Sequence, residues 1–154
     1  MGYSGMIVVA RTDRPLAGSA LVGGVGVLDE LAFAGGWRCA RLDGELPGSL
    51  DEVVAATGAP ALRAYVLDSD LADVRAAGPH GARWHTYLHP DVAAEFNAPP
   101  LEQSAEEIVA QAVAWAAEAG HTVDPAAVAA ALTATGAFAE DTLLDLLKVL
   151  GVNA

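Results

Sequence analysis

Only one cysteine and one lysine occur among these 154 residues, with three residues each of tryptophan, tyrosine and phenylalanine. A lone Cys39 cannot form an internal disulfide and excludes a cysteine zinc cluster. Lys148 is the sole lysine, and eight Lys and Arg against 20 acids leave a net charge of −12. Such a chain repels phosphate backbones and anionic lipid, so unaided binding to nucleic acid or to a membrane surface is not expected. No uninterrupted apolar run approaches the roughly 18 residues of a membrane span. The run MIVVA (6–10) is too short for a signal peptide and lacks a cleavage-site pattern. The opening MGYSGM departs from the N-myristoylation pattern at Met6. The expectation is a soluble cytoplasmic protein, and the preference for arginine over lysine with abundant alanine resembles a high-GC bacterial proteome.

What is abundant is alanine, with 34 residues. Alanine buries little area and favours helix, so a core has to rest on the fewer Leu, Val, Ile, Phe and Trp side chains. Charge is uneven along the chain. Residues 1–77 carry ten acids and six basic residues, whereas residues 78–154 carry ten acids and two. From Leu101 to Leu147 there are eight acids and no Lys or Arg, a surface that suits a basic protein partner or simply solubility.

The patterning predicts strands over about 6–11, 37–42, 61–68 and 82–88. ALVGGVGVLDELAFAGG has the spacing of a helix from about 20 to 34, weakened by three glycines, and SDLADVRAAG reads as one or two helical turns. Ser49 with Glu52, and Ser104 with Glu107, are capping boxes that open helices over about 50–57 and 104–119. A short helix starts at Pro90. Asp124 followed by Pro125 opens another helix to about Thr135, and EDTLLDLLKVLG forms the last, with acids at its start and Lys148 near its end. The fold expected is a single α+β domain over 1–154. It has a small sheet of about four strands in 1–98 and three C-terminal helices in 101–151 packed on it.

Candidate chemistry concentrates in two places. YVLDSDLADV (65–74) is an apolar strand ending in Asp68-Ser69-Asp70. Over about six residues it resembles the first motif of haloacid-dehalogenase-type phosphotransferases, and also the metal-binding aspartate pair of nucleotide-sugar glycosyltransferases. The first resemblance implies Asp68 as nucleophile and Asp70 as acid/base over magnesium. Those phosphotransferases also need a lysine, and Lys148 lies near the chain end. The structural alternative has Asp70 capping a helix and Asp68 solvating a strand end.

The second place is ARWHTYLHP (82–90). On a strand, Arg83, His85, Tyr87 and His89 share one face, and Trp84, Thr86 and Leu88 take the other. His85 and His89 are then about 13 Å apart at roughly 3.3 Å per residue, too far to share one ion. That disfavours a site of His85 and His89 with Asp68, Asp70 or Asp91, and a metal, if held, would use Asp68, Asp70 and His85. Without one, Arg83, His85 and Tyr87 form a recognition surface for an anionic or polar group, with His85 able to sense pH.

Other motifs are incomplete. Gly24 and Gly26 start a dinucleotide-type pattern, but position 29 is Asp, and no P-loop lysine exists. Cys39 sits mid-strand, and GYSGM lacks the spacing of a nucleophile elbow. No cofactor is expected. The leading expectation is a non-enzymatic protein that binds another protein, a basic partner being favoured, as a neutraliser of the immunity type or an accessory subunit, and a homo-oligomer is also compatible. The alternatives are a metal-assisted hydrolase or transferase using Asp68 and Asp70 with His85 or His89, and a small-ligand module with Trp37 or Trp84 lining a pocket.

Overall fold

The computed structural model describes residues 2–153. One antiparallel sheet of six strands organises it: β1 (Gly5–Arg11), β2 (Gly26–Ala32), β3 (Trp37–Asp43), β4 (Ala61–Leu67), β5 (Leu71–Ala77) and β6 (Arg83–Leu88). Their spatial order is β2-β3-β1-β4-β5-β6. Five α-helices accompany it: α1 (Leu50–Thr57), α2 (Pro90–Glu95), α3 (Ala105–Glu118), α4 (Pro125–Thr133) and α5 (Ala139–Val149). The α+β class expected from the sequence is the one observed, with two strands more than the four expected. Among the described residues no helix is long and apolar enough to cross a membrane.

The two additional strands are where a helix was expected. Residues 68–77 hold no helical turn. Asp68 and Ser69 both take positive φ (51° and 58°), and the Asp70 amide donates to the Leu67 carbonyl, closing a tight hairpin turn between β4 and β5. In β5, Ala72, Val74 and Ala76 face the core and Asp73 and Arg75 face away, a period of two that an α-helix cannot produce. Residues 20–34 likewise form no helix. Their glycines permit turns up to Val25, and β2 follows as an edge strand on β3, with a bulge between Val27 and Asp29.

Elsewhere local chemistry and structure agree. Ser49–Glu52 and Ser104–Glu107 each form both bonds of a capping box, and Gly58 ends α1 in the left-handed region at φ 67°. Asp124 accepts from the Ala126 amide with Pro125 in the first turn of α4.

The sheet separates two cores. On one side α3, α4 and α5 cover Ile7, Val9, Leu62, Val74, Trp84 and Leu88. Trp115 of α3 lies 5.7 Å from Trp37 and 6.3 Å, edge-on, from Trp84. Its indole N–H is directed at the Ala61 and Ala77 carbonyls, both at 3.1 Å. On the other side, α1 and the turns from Leu16 to Val22 cover Met6, Val8, Ala40 and Leu42, and reach the Ala61–Ala77 end of β4 and β5. Beyond that end, Arg63, Tyr65, Asp73, Arg75, His85 and Tyr87 on this side of β4, β5 and β6 are exposed or half-buried.

Candidate functional site

The uncovered half of the sheet carries two rows of side chains set by strand register. Arg63 is paired with Arg75, and Arg75 with His85. One step along, Tyr65 is paired with Asp73, and Asp73 with Tyr87. A single carboxylate thus sits among three cationic or imidazole groups and two tyrosines. His85 Nε2 donates to Asp73 Oδ1 at 2.6 Å, Arg75 Nε lies 3.7 Å from the same oxygen, and the His85 and Tyr87 rings meet edge-on at 5.1 Å. Burial works to raise the Asp73 carboxyl. The His85 bond and the charges of His85, Arg75 and Arg63 outweigh it and hold the group below its ordinary value. Arg83 lies at the rim of this face, ion-paired with Asp51 of α1.

The three residues expected to form a recognition surface, Arg83, His85 and Tyr87, therefore share a face, with Trp84 buried behind it. Sequence reasoning missed Arg63, Tyr65, Asp73 and Arg75, although Ala72-Asp73-Val74-Arg75-Ala76 displays the strand alternation that would have placed two of them.

Hydrogen bonds tie this face to its flank. β6 is an edge strand, but its outer backbone is occupied by side chains from outside the sheet. Gln111 accepts from the Arg83 amide (3.0 Å), and Gln103 accepts from the His85 amide (3.2 Å) while donating to the Arg83 carbonyl (3.0 Å). Glu118 accepts from the His80 and Ala82 amides, and the Tyr87 hydroxyl donates to the Pro99 carbonyl at 2.8 Å. Edge groups so engaged cannot pair with another chain.

The structure does not bring Asp68, Asp70 and His85 together. Asp70 precedes β5 by one residue, whereas His85 is paired with Arg75 further along the strand. Five residues at roughly 3.3 Å each put about 16 Å between them. Asp68 is structural: its carboxylate accepts from the Gly2 amide at 2.7 Å, and its own amide donates to Ser4 Oγ. Ser69, 3% exposed, bonds to Tyr3, Glu140 and the Ala139 amide, tying the turn to the N-terminal segment and to the start of α5. Among the described residues no three His, Cys, Asp or Glu side chains are grouped to hold an ion.

His89 corrects a second expectation. It does not share the face of His85 but leaves the strand in the left-handed region (φ 58°) and is 4% exposed. Its Nδ1 lies 2.7 Å from the Asp70 carbonyl and its Nε2 lies 2.8 Å from Thr142 Oγ1 of α5. A carbonyl only accepts, so Nδ1 carries a proton, and in the neutral ring Nε2 accepts from the threonine hydroxyl. Asp91 lies in the first turn of α2, a position the helix dipole favours.

Neither of two clefts in the surface reaches the β4–β6 face. One, of about 400 Å³, lies between α1 and the turn at Leu21. The other, of about 210 Å³, has an apolar floor and wall from Ile7, Leu31, Cys39, Leu143 and Leu144. Its charged lining is Asp29, Arg41, Glu140 and Asp141. Arg41 donates to Asp29 through Nε and lies over the Tyr3 ring, 5.0 Å from its centre. Burial, and more weakly the charge of Asp29, push the Cys39 thiol up to about 12. Trp37 and Trp84 line neither cleft, being 0% and 2% exposed in the core.

Comparison with known proteins returns no match: no family model, no curated protein and no solved structure is significantly similar to this chain.

Proposed function

We propose that the protein acts by binding another protein, as a neutraliser or accessory subunit, and that the uncovered half of the sheet is its docking face. The observation that carries this reading is the pair of cross-strand rows Arg63–Arg75–His85 and Tyr65–Asp73–Tyr87 on three hydrogen-bonded strands. Arginine and tyrosine are the types that anchor interfaces, because each combines a wide contact area with a polar tip. Here they stand on a rigid platform, so little ordering entropy is lost on association. The Asp73–His85 pair has the form of an oriented acid/base dyad. Its side chains line neither of the two clefts and are 22% and 34% exposed, however, so water reaches them, and recognition is the use this geometry favours.

The partner this reading favours is basic overall, given the chain's net charge of −12. It presents a polar or anionic group to the arginines at the centre of the contact. Affinity capture from the cells that encode the protein tests this, using wild type beside Arg75→Glu and Tyr87→Ala as baits. The reading expects a species retained by wild type and lost from both variants. The same set of proteins on all three baits would exclude this face.

A further inference from the structure

The two edges of the sheet are treated oppositely. The outer backbone of β6 is closed by Gln103 and Gln111, whereas β2 exposes five of its seven residues. Among the described residues no loop or side chain bonds to the outer backbone of Gly26–Ala32. Leu28 and Leu31 of this strand are 56% and 48% exposed, the first at the bulge and the second at the lip of the 210 Å³ cleft. After the bulge, Asp29, Glu30, Leu31 and Ala32 follow β3 in regular register, so this stretch is a template for a further strand.

Charge decides which chain fits. If two copies paired β2 with β2 antiparallel, any register that overlapped most of the strand would set Asp29 or Glu30 opposite or diagonal to the same acids of the copy. Like charges so placed oppose pairing. Arg41 and Arg38 are already engaged by Asp29 and Glu30, and the neighbouring cleft wall adds Glu140 and Asp141. The surroundings of this edge are therefore acidic. The cleft beside it is deep enough for one aliphatic chain, since a cavity of about 150 Å³ already holds benzene. We propose that β2 is a second docking edge, which takes an extended basic segment of another protein as a seventh strand. One lysine of that segment would lay its alkyl stem on Leu31, Ile7 and Leu144 and direct its ammonium at Glu140 and Asp141.

The test uses the intact protein and two blocked peptides the length of β2, one alternating valine with lysine and the other valine with glutamate. Backbone amide exchange is read residue by residue at saturating peptide. The lysine peptide should slow the outward-facing amides of Asp29–Ala32 by about tenfold or more and leave the β6 amides unchanged, and the glutamate peptide should slow neither. Leu31→Lys should abolish that slowing, whereas Tyr87→Ala, on the opposite face, should leave it intact, so this inference and the proposed docking face fail separately. Equal slowing by both peptides, or none at Asp29–Ala32, overturns the proposal, and this wild-type comparison decides even if a variant fails to fold. A dimer in sedimentation with these amides already protected would overturn it in favour of a second copy.

Discussion

Replacing Thr142 by valine deletes a single hydroxyl from the contact between α5 and His89, whose other ring nitrogen holds the β4–β5 turn at Asp70. Thr142 and His89 are each 4% exposed, and the 2.8 Å bond between them is the partner that His89 Nε2 has. Valine keeps the branched shape, so no large cavity opens, but the imidazole nitrogen is left buried without a donor. A buried polar atom stripped of its partner costs about 1–3 kcal/mol. Some of that is offset because the threonine also loses only a long, 3.4 Å contact to the Phe138 carbonyl and a methyl is easier to bury. The expected net loss is about 1–2 kcal/mol, which in a chain of this size lowers the melting temperature by about 2–8 °C. Urea unfolding with an unchanged m-value is the assay, since a change in slope would signal a different denatured state. His89→Asn tolerates the left-handed backbone and supplies the other corner of a double-mutant cycle, in which the two losses should couple by about 1 kcal/mol. Losses that simply add, or a valine variant within about 0.3 kcal/mol of wild type, would refute the reasoning.

Cys39 should resist iodoacetamide at mildly alkaline pH while the protein is folded and react fully once it is unfolded, because burial pushes its thiol up to about 12. Labelling of the folded protein at the rate of free cysteine would contradict that. Asp73 is held below its ordinary value, so its contribution to stability is present above the unfolded carboxylate value of about 4 and is lost as pH falls further. Asp29, lowered chiefly by its hydrogen bond to Arg41, acts in the same direction. Melting temperature should therefore drop from about pH 4 downward, and Asp73→Asn should flatten that drop; parallel curves for the two proteins would rule out the assignment. Gln103→Ala combined with Gln111→Ala frees the outer backbone of β6, so light scattering should reveal self-association that wild type lacks. A double variant as monodisperse as wild type would show that these glutamines do not guard the edge.

How legible the fold is depends on whether its signals are local. The capping boxes at Ser49 and Ser104 and the aromatic strand β6 are written in adjacent residues, and all three are read correctly. β5 is obscured by its alanines, whose helix preference masks a two-residue alternation, and by a turn whose Asp68 and Ser69 take positive φ without a glycine. β2 has no covered face for most of its length, so no hydrophobic period exists to be read. The recognition face is legible only in part for the same reason. Arg83, His85 and Tyr87 alternate along one strand, but Arg63 and Asp73 join them through cross-strand register, which no local pattern encodes. His89 is misread because a residue before proline is normally extended, and here buried bonds to Asp70 and Thr142 hold it left-handed.

Hydroxyl-radical footprinting of the protein, alone and with its captured partner, tests the docking face most directly. Tyr65 and Tyr87 stand on that face, while Phe138, 51% exposed, precedes α5 on the other side of the sheet and serves as an internal reference. Oxidation of both tyrosines should fall on complex formation while that of Phe138 stays unchanged. Tyrosines oxidised as fast in the complex as in the free protein would contradict the claim that partners are recognised by the uncovered half of the sheet.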